Sequence, residues 1–250
     1  MSVYERESPI KEVQGYDQTI NVAGTPSNYS AVVPGFSEYK FVCDTAWRLS
    51  LAPKLLHALY YTAASATFTE YTTQVTDGLS TTHMPLDGML TTDYVYLGTS
   101  APAWFYFDIG TNVNATVTTL DVEYCSTAQT LSAEPVFTDV AADSDQTDAA
   151  GATLGVDGEY VFTKPAVVRS RLGTGAASKY SKCYWIRFKP SAPLSATVDI
   201  NEIIPIYPDA TNLAYMSAAV EYNVRLDLSN VGGWYAQCSA EKHLYITPIK

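Results

Sequence analysis

Hydrophobic and polar residues alternate along most of the chain from residue 39 onward. The stretch 184–189, YWIRFK, is followed by a bend between Pro190 and Pro193, and the alternation then resumes over residues 196–203. A period of two is typical of a strand that packs one face on a core. Comparable runs occur at 39–45, 47–52, 66–76, 93–110, 116–126, 134–140, 153–165, 220–230 and 242–249.

This pattern predicts about ten to twelve short strands with turn signals every 8–12 residues or so, which indicates an all-β fold, either a β-sandwich or a jelly roll. One segment stays ambiguous. Residues 53–62, PKLLHALYYT, begin with a proline that the first turn of a helix tolerates, yet ALYYT is an equally good strand.

Changes in residue composition along the chain indicate the domain organisation. Residues 1–40 are charged at the start and then rich in Pro, Gly, Ser and Asn, so we expect an extended N-terminal arm. Residues 41–250 form the β-sandwich region. Within it, residues 41–76 together with 208–250 are a candidate second β-layer.

Composition and net charge limit the classes of molecule that the protein is expected to bind. Charged residues make up 16% of the chain and Tyr occurs 19 times, which favours a surface covered by other protein copies, although aromatic strands of an ordinary sandwich would give the same composition. The net charge of -11 argues against nucleic acid, because phosphate binding needs clustered Lys and Arg.

The start of the chain and its cysteines indicate a protein made in the cytosol. The first residues, MSVYERESPIKEV, lack the apolar core of a signal peptide, and no run of 18 apolar residues predicts a membrane span. The four cysteines are widely spaced and have no histidine at zinc-ligand spacing. We expect buried free thiols at Cys43, Cys125, Cys183 and Cys238.

Three stretches, quoted in chain order, resemble a β-sandwich module found in virion structural proteins of tailed bacteriophages and related archaeal viruses. They are VYLGTSAPAWFYFDIGTNVNATVTTLDVEYCSTAQ, TLGVDGEYVFTKP and YWIRFKPSAPLSATVDINEIIPI, and together they cover about residues 93–206. The chain departs from the module after Glu123-Tyr124, where the usual Trp/Asn turn is replaced by Cys125-Ser-Thr-Ala.

The resemblance implies a non-enzymatic virion structural protein without a cofactor. We expect a capsid decoration or cement protein that forms homo-oligomers, with a trimer as one candidate, and binds other virion proteins such as the major capsid protein. The alternatives are a tail, baseplate or adaptor component and, from another class, a carbohydrate-binding module for host attachment. The expected location is the virion, after synthesis in the host cytoplasm.

Candidate chemical sites are few. His57, His83 and His243 are far apart in sequence, and no serine or cysteine has a recognisable histidine partner, so no catalytic residue is predicted. Asp143, Asp145 and Asp148 are a weak candidate for an irregular calcium site, and solvated loop charge is the favoured explanation of these residues.

Asp108 and Glu202 are carboxylates among apolar residues. They would suit glycoside hydrolysis in a cleft, or more simply a strand-end hydrogen bond for Asp108 and an ion pair with Arg187 for Glu202. A sugar-stacking platform would use Trp104, Tyr106, Trp185 and Trp234, for which core packing or subunit contact is the alternative. The residues predicted to contact other protein copies are Tyr4, Tyr16, Tyr29, Phe36, Trp104, Tyr106 and Trp234.

Overall fold

The computed structural model describes the chain over the following residues: 16–20, 29–31, 38–43, 45, 47–77, 79, 81–141, 143–163, 166–173, 180–206, 214–216, 222–225, 231–238 and 242–249. The chain divides into two compact units, one formed by residues 1–51 with 211–250 and the other by residues 52–210. Across these described ranges the regular secondary structure is entirely β, which confirms the all-β prediction.

The strands, in chain order, are β1 (Tyr16–Ile20), β2 (Tyr29–Ala31), β3 (Glu38–Cys43), β4 (Trp47–Pro53), β5 (Leu55–Thr62), β6 (Thr67–Glu70), β7 (Met84–Pro85), β8 (Tyr94–Thr99), β9 (Trp104–Asp108), β10 (Leu120–Thr127), β11 (Val136–Asp139), β12 (Ser144–Asp145), β13 (Gly158–Val161), β14 (Arg169–Ser170), β15 (Cys183–Pro190), β16 (Asp199–Ile200), β17 (Glu202–Ile206), β18 (Ala214–Met216), β19 (Tyr222–Arg225), β20 (Val231–Cys238) and β21 (Lys242–Ile249).

The unit of residues 52–210 is a β-sandwich. Its larger sheet has seven strands in the order β11-β10-β15-β8-β5-β6, with β14 also paired to β15, and its smaller sheet has the order β12-β13-β9-β17. The strands β16 and β7 form a further two-stranded sheet. Phe107 of the smaller sheet meets Phe188 of the larger one edge to face, at a ring-centroid distance of 5.7 Å. The core of this unit therefore lies between the two sheets.

The predicted alternation holds along the central strands of the seven-stranded sheet. On β8, Val95 and Leu97 join the core between the sheets, whereas Tyr96 belongs to a second cluster on the opposite face. On β15, Ile186 faces the core and Trp185 the second cluster. Because apolar clusters lie on both sides of these strands, both faces of this sheet contribute to apolar packing.

The ambiguous segment at 53–62 is strand. Residues Leu55–Thr62 form β5, which pairs antiparallel with β8 on one side and β6 on the other. A register shift between Leu55 and His57 marks a bulge. Beyond it, Ala58 faces the core and Leu59 the opposite face, so the pairing of two neighbouring strands decides the conformation.

The unit formed by the two ends of the chain contains two four-stranded sheets. Their orders are β1-β21-β3-β19 and β18-β4-β20-β2. The rings of Tyr39 and Phe41, both on β3, lie 4.7 and 5.4 Å from the ring of Trp234 on β20. All three side chains are fully buried, so aromatic packing between these strands forms the core of this unit.

The strands within the predicted 41–76 layer belong to different sheets. Strands β5 and β6, from the predicted 41–76 layer, belong to the seven-stranded sheet, whereas β3 pairs with β19 and β21 from the other end of the chain. Within the predicted arm, β1 pairs with β21 and β2 with β20. The remainder of residues 1–37 lies outside the described residues.

Candidate functional site

The outward side of the seven-stranded sheet carries a dense group of aromatic rings. We call it the aromatic face and define it by Tyr61, Phe68, Tyr94, Tyr96, Phe137, Tyr180 and Arg187. Phe68 packs at 4.8 Å from Tyr61, and Tyr96 contacts Phe137 edge to face at 5.6 Å. Phe68 is 38% exposed, and its neighbours Tyr61 and Tyr180 are half-buried. The rings therefore form a surface that the chain covers only in part.

Arg187 lies at the centre of the aromatic face. Its guanidinium carbon is 4.2 Å from the centroid of Tyr94 and 4.3 Å from that of Phe137. The guanidinium forms an ion pair with Glu123 and donates from Nη1 to the hydroxyl oxygen of Tyr96 at 3.0 Å. Cation–π contacts strengthen as water is removed, so the half-buried rings favour this position for the charge.

The hydroxyl of Tyr96 is held in its neutral form. Burial raises the pKa of Tyr96, and the nearby Arg187 charge offsets only part of that effect. Because the Tyr96 oxygen accepts from Arg187, its own O–H remains able to donate a second hydrogen bond. The face thus combines rings with a few fixed polar groups.

Trp185 lies beside this face and is fully buried. It pairs with Gly98 across β15 and β8, and its Nε1 donates to the carbonyl of Ser170 at 2.8 Å. Gly98 also pairs with His57 on β5, and the His57 ring stacks on Trp185 at 5.6 Å with 15° between the planes. The missing side chain at Gly98 lets the two rings approach each other over the sheet.

His57 connects three parts of the unit. Its Nδ1 is 2.8 Å from Oε1 of Glu70 on β6, and its Nε2 is 2.8 Å from Oγ of Ser181, which precedes β15. Tyr180 meets the imidazole edge to face at 5.4 Å. We call the set Glu70, His57 and Ser181 the His57 network. In this network a carboxylate, an imidazole and a hydroxyl are joined by two consecutive hydrogen bonds.

The aromatic residues predicted as interaction or platform residues lie in three different settings. Trp104 is half-buried on β9 and donates from Nε1 to the carbonyl of Phe162 at 2.7 Å. Tyr106, also half-buried on β9, has its pKa raised to about 12, first by burial and then by Asp157. Trp234 and Trp185 are fully buried, so their rings serve core packing within this fold.

The remaining predicted interaction residues lie near the start of the chain. Tyr16 and Tyr29 begin β1 and β2, and the structure describes their backbone but not their side chains. Tyr4 and Phe36 lie outside the described residues. Their role in contacting other copies stays a prediction.

Asp108 and Glu202 face each other across β9 and β17. Burial raises the pKa of both carboxyl groups, and each is raised further by a neighbouring carboxylate, Asp157 for Asp108 and Asp108 for Glu202. The expected ion pair between Glu202 and Arg187 is wrong. Arg187 points from the other sheet to Glu123, its direct partner across β15 and β10.

The three acidic residues suggested for calcium make separate local hydrogen bonds. Asp143 accepts from the hydroxyl of Tyr160, Asp145 accepts from the backbone N–H of Thr147 at 2.8 Å, and Asp148 accepts from the N–H of Gly151 at 2.9 Å. Among the described residues, no group of three His, Cys, Asp or Glu side chains is arranged to hold a metal ion.

The described cysteines Cys43, Cys125 and Cys183 are buried, as predicted, and Cys125 and Cys183 are free thiols; the side chain of Cys238 is not described. Burial raises the pKa of the Cys125 thiol to about 11 and also raises that of Cys183. The described part of the chain contains no helix that is long and apolar enough to cross a membrane.

Two features escaped prediction from the sequence. The alternation of the sequence puts Tyr94 and Tyr96 on one face of their strand and Arg187 on one face of its own strand. It does not show that these two strands are neighbours in the sheet. The His57 network joins residues 124 positions apart, so nothing in local spacing reveals it.

Comparison of the chain with models of protein families, with curated proteins and with solved structures finds no match.

Proposed function

We propose that the protein is a structural component of a virion, where it binds the capsid shell as a homo-oligomeric decoration or cement protein. This role depends on protein–protein binding alone. The observation that carries it is the aromatic face, an apolar sheet surface that its own unit covers only in part.

The composition of the aromatic face suits a protein partner. Tyr and Arg are enriched where binding energy concentrates in interfaces, because each offers a large contact area together with a polar tip. Arg187 is already paired with Glu123, so covering this face would not leave a buried unpaired charge. The exposed side of Phe68 supplies an apolar anchor.

The module resemblance gives the proposal its virion setting. The resembling stretch, about residues 93–206, lies within the unit of residues 52–210 and supplies β8 to β17. A jelly-roll course of these strands and an N-terminal arm that reaches across neighbouring subunits belong to the same proposal. An oligomer would engage several sites on a shell at once, which multiplies its affinity.

Immunogold electron microscopy tests the proposed location. Antibodies raised against the purified protein should label the heads of particles from cultures that produce this chain. Label on tails or baseplates would instead favour a tail, baseplate or adaptor component, and unlabelled particles would overturn the virion assignment. Light scattering at several concentrations should give the mass of a trimer or another closed oligomer.

A matched pair of variants tests the aromatic face. Phe68→Ser removes the exposed ring of the face, whereas Leu131→Ser removes a 91% exposed apolar side chain outside it. We expect Phe68→Ser to weaken oligomer formation or particle binding and Leu131→Ser to leave both unchanged. Equal effects would place the binding surface elsewhere. Binding of the wild-type protein to glycans, lost in Phe68→Ser, would favour the carbohydrate-binding alternative.

A further inference from the structure

The His57 network has the hydrogen-bond order of an activated serine. Glu70 Oε1 lies 2.8 Å from Nδ1 of His57, and Nε2 of the same ring lies 2.8 Å from Ser181 Oγ. A nucleophile within hydrogen-bond reach of a base, and a base oriented by a third group, is the arrangement that nucleophilic catalysis requires.

The surrounding donors select the productive tautomer of His57. The backbone N–H of Ser181 also points to Nε2, at 3.4 Å, and an N–H can only donate. Nε2 is therefore the acceptor, and the ring proton lies on Nδ1, facing Glu70. In this tautomer the lone pair of the base is directed at the hydroxyl of Ser181.

The base and its carboxylate are held in place by their neighbours. Glu70 Oε1 also accepts from Oγ1 of Thr72 at 3.0 Å, and Thr72 Oγ1 accepts from the backbone N–H of Ala58 at 2.9 Å. On the ring itself, stacking on Trp185 and the edge contact with Tyr180 restrict rotation. Preorganisation of this kind keeps a base aligned before substrate arrives.

Ser181 is the accessible nucleophile of the set. It is exposed, whereas Cys183, whose Sγ lies 3.1 Å from Ser181 Oγ, is fully buried and has its thiol pKa raised by burial. A cation is also close, because Arg169 Nη2 donates to the carbonyl of Lys182 at 2.9 Å, one residue along the chain from Ser181. A cation beside the residue that follows Ser181 has the sign that would stabilise negative charge on a substrate bound there.

We propose that Ser181 is the nucleophile of an esterase site for small carboxylic esters, with His57 as the base and Glu70 as the positioning residue. Ser181 Oγ forms a bond to the ester carbonyl carbon as its proton passes to His57 Nε2. The bond from that carbon to the alcohol oxygen then breaks, and the departing alcohol takes the proton. Water attacks the acyl-serine with His57 again as base, and the released acid leaves Ser181 with its proton restored.

This site goes beyond the proposed structural role and does not rest on it. The aromatic face, on which that role depends, shares Tyr180 with the surroundings of His57, but Ser181 itself lies before β15. A failure of the esterase test would leave the particle-binding test unaffected, and the reverse also holds.

The test is covalent labelling of the full chain with a fluorophosphonate, which forms a phosphorus–oxygen bond to an activated serine and releases fluoride. Intact mass and peptide mapping should place one label on Ser181. Turnover of p-nitrophenyl acetate should be blocked by the same label. Ser181→Ala should abolish both signals, and His57→Gln should slow labelling by about 10²-fold or more.

Controls separate activation from mere exposure. Ser132 is exposed in the turn before β11, so Ser132→Ala should label like the wild type. Glu70→Gln should slow labelling, and Glu70→Asp, which keeps the charge, should restore part of the rate. Glu70 and Ser181 are both exposed, so their variants keep the test valid even where His57→Gln fails to fold. No label on Ser181, or equal labelling in Glu70→Gln, would overturn the proposal.

Discussion

Trp185 lies flat over Gly98, its partner on the neighbouring strand of the seven-stranded sheet. A Cβ atom added to Gly98 would come within 2.8 Å of Cζ3 of the indole and 2.9 Å of Cη2. Contacts this short are not tolerated, so the glycine is required by the ring that covers it. The pair also affects where His57 stacks, because Gly98 lies between Trp185 and His57 in the sheet and the two rings stack at 5.6 Å.

Replacing Gly98 should therefore destabilise the unit through overpacking. We expect Gly98→Ala to lower the free energy of unfolding by about 1–3 kcal/mol, measured by urea denaturation. The double variant Gly98→Ala with Trp185→Leu should lose less stability than the sum of the two single losses, because leucine leaves room for the methyl group. Strictly additive losses would show that the two residues do not conflict.

Removing the indole should have a larger effect than crowding it. Trp185→Ala would leave a cavity beside the His57 ring and remove the indole donor to the carbonyl of Ser170, so we expect a loss of about 3–5 kcal/mol. Thermal and urea unfolding measure it. Trp104→Ala, at a half-buried position, is the comparison and should cost less. A stable Trp185→Ala protein would contradict the buried position of the ring.

Substitutions of Arg187 and Glu123, which form an ion pair, should show a large coupling energy in the free energy of unfolding. Their side chains are 21% and 12% exposed, so removing one partner leaves a partly buried charge without its counterion. We expect Glu123→Gln and Arg187→Met each to lower stability by about 1–3 kcal/mol, less than for a fully buried pair. Unfolding of the double variant Glu123→Gln with Arg187→Met should show a smaller loss than the sum of the two single losses. A zero coupling energy would contradict this view.

Asp108 and Glu202 predict a pH dependence of stability. Burial is the main reason that both pKa values are raised, so the folded chain holds these protons more tightly than the unfolded chain. As the pH rises through the ordinary carboxyl pKa, the unfolded chain loses these protons first. The contribution of the two groups to the free energy of unfolding then falls until the pH passes their raised pKa in the folded chain.

Glu202→Gln should remove part of this loss. We expect the variant to gain stability relative to the wild type at neutral pH, and the gain should shrink as the pH is lowered toward the ordinary carboxyl pKa of about 4. Urea unfolding across that range provides the measurement. Glu134→Gln, on an exposed loop position, should show no such trend. A Glu202→Gln protein that is less stable at neutral pH would contradict the argument.

The sequence predicted the strands better than their neighbours. Alternation identified β8 and β15, because Val95, Leu97 and Phe188 have the parity of a packed face, and a β-sandwich followed. It did not assign β5, whose leucines and tyrosines suit a helix as well as a strand. That choice depends on pairing with β6 and β8, which is long-range information.

The candidate sites depended even more on tertiary contacts. The aromatic residues singled out from the sequence include Trp185 and Trp234, which the structure buries, because alternation does not reveal whether a second layer covers a face. Glu202 was expected to meet Arg187, yet the two lie on different sheets. His57, Glu70 and Ser181 come together only because β5, β6 and the start of β15 approach at one side of the sheet.

The two outermost strands of the seven-stranded sheet limit how copies of this unit can associate. Both β6 and β11 are only four residues long, and each ends in a carboxylate, Glu70 or Asp139. A strand from another copy would gain few backbone hydrogen bonds there and would meet like charge in an acidic protein. Sheet-to-sheet extension into fibres is therefore disfavoured, and copies of this unit can concentrate without forming amyloid-like ribbons through these edges.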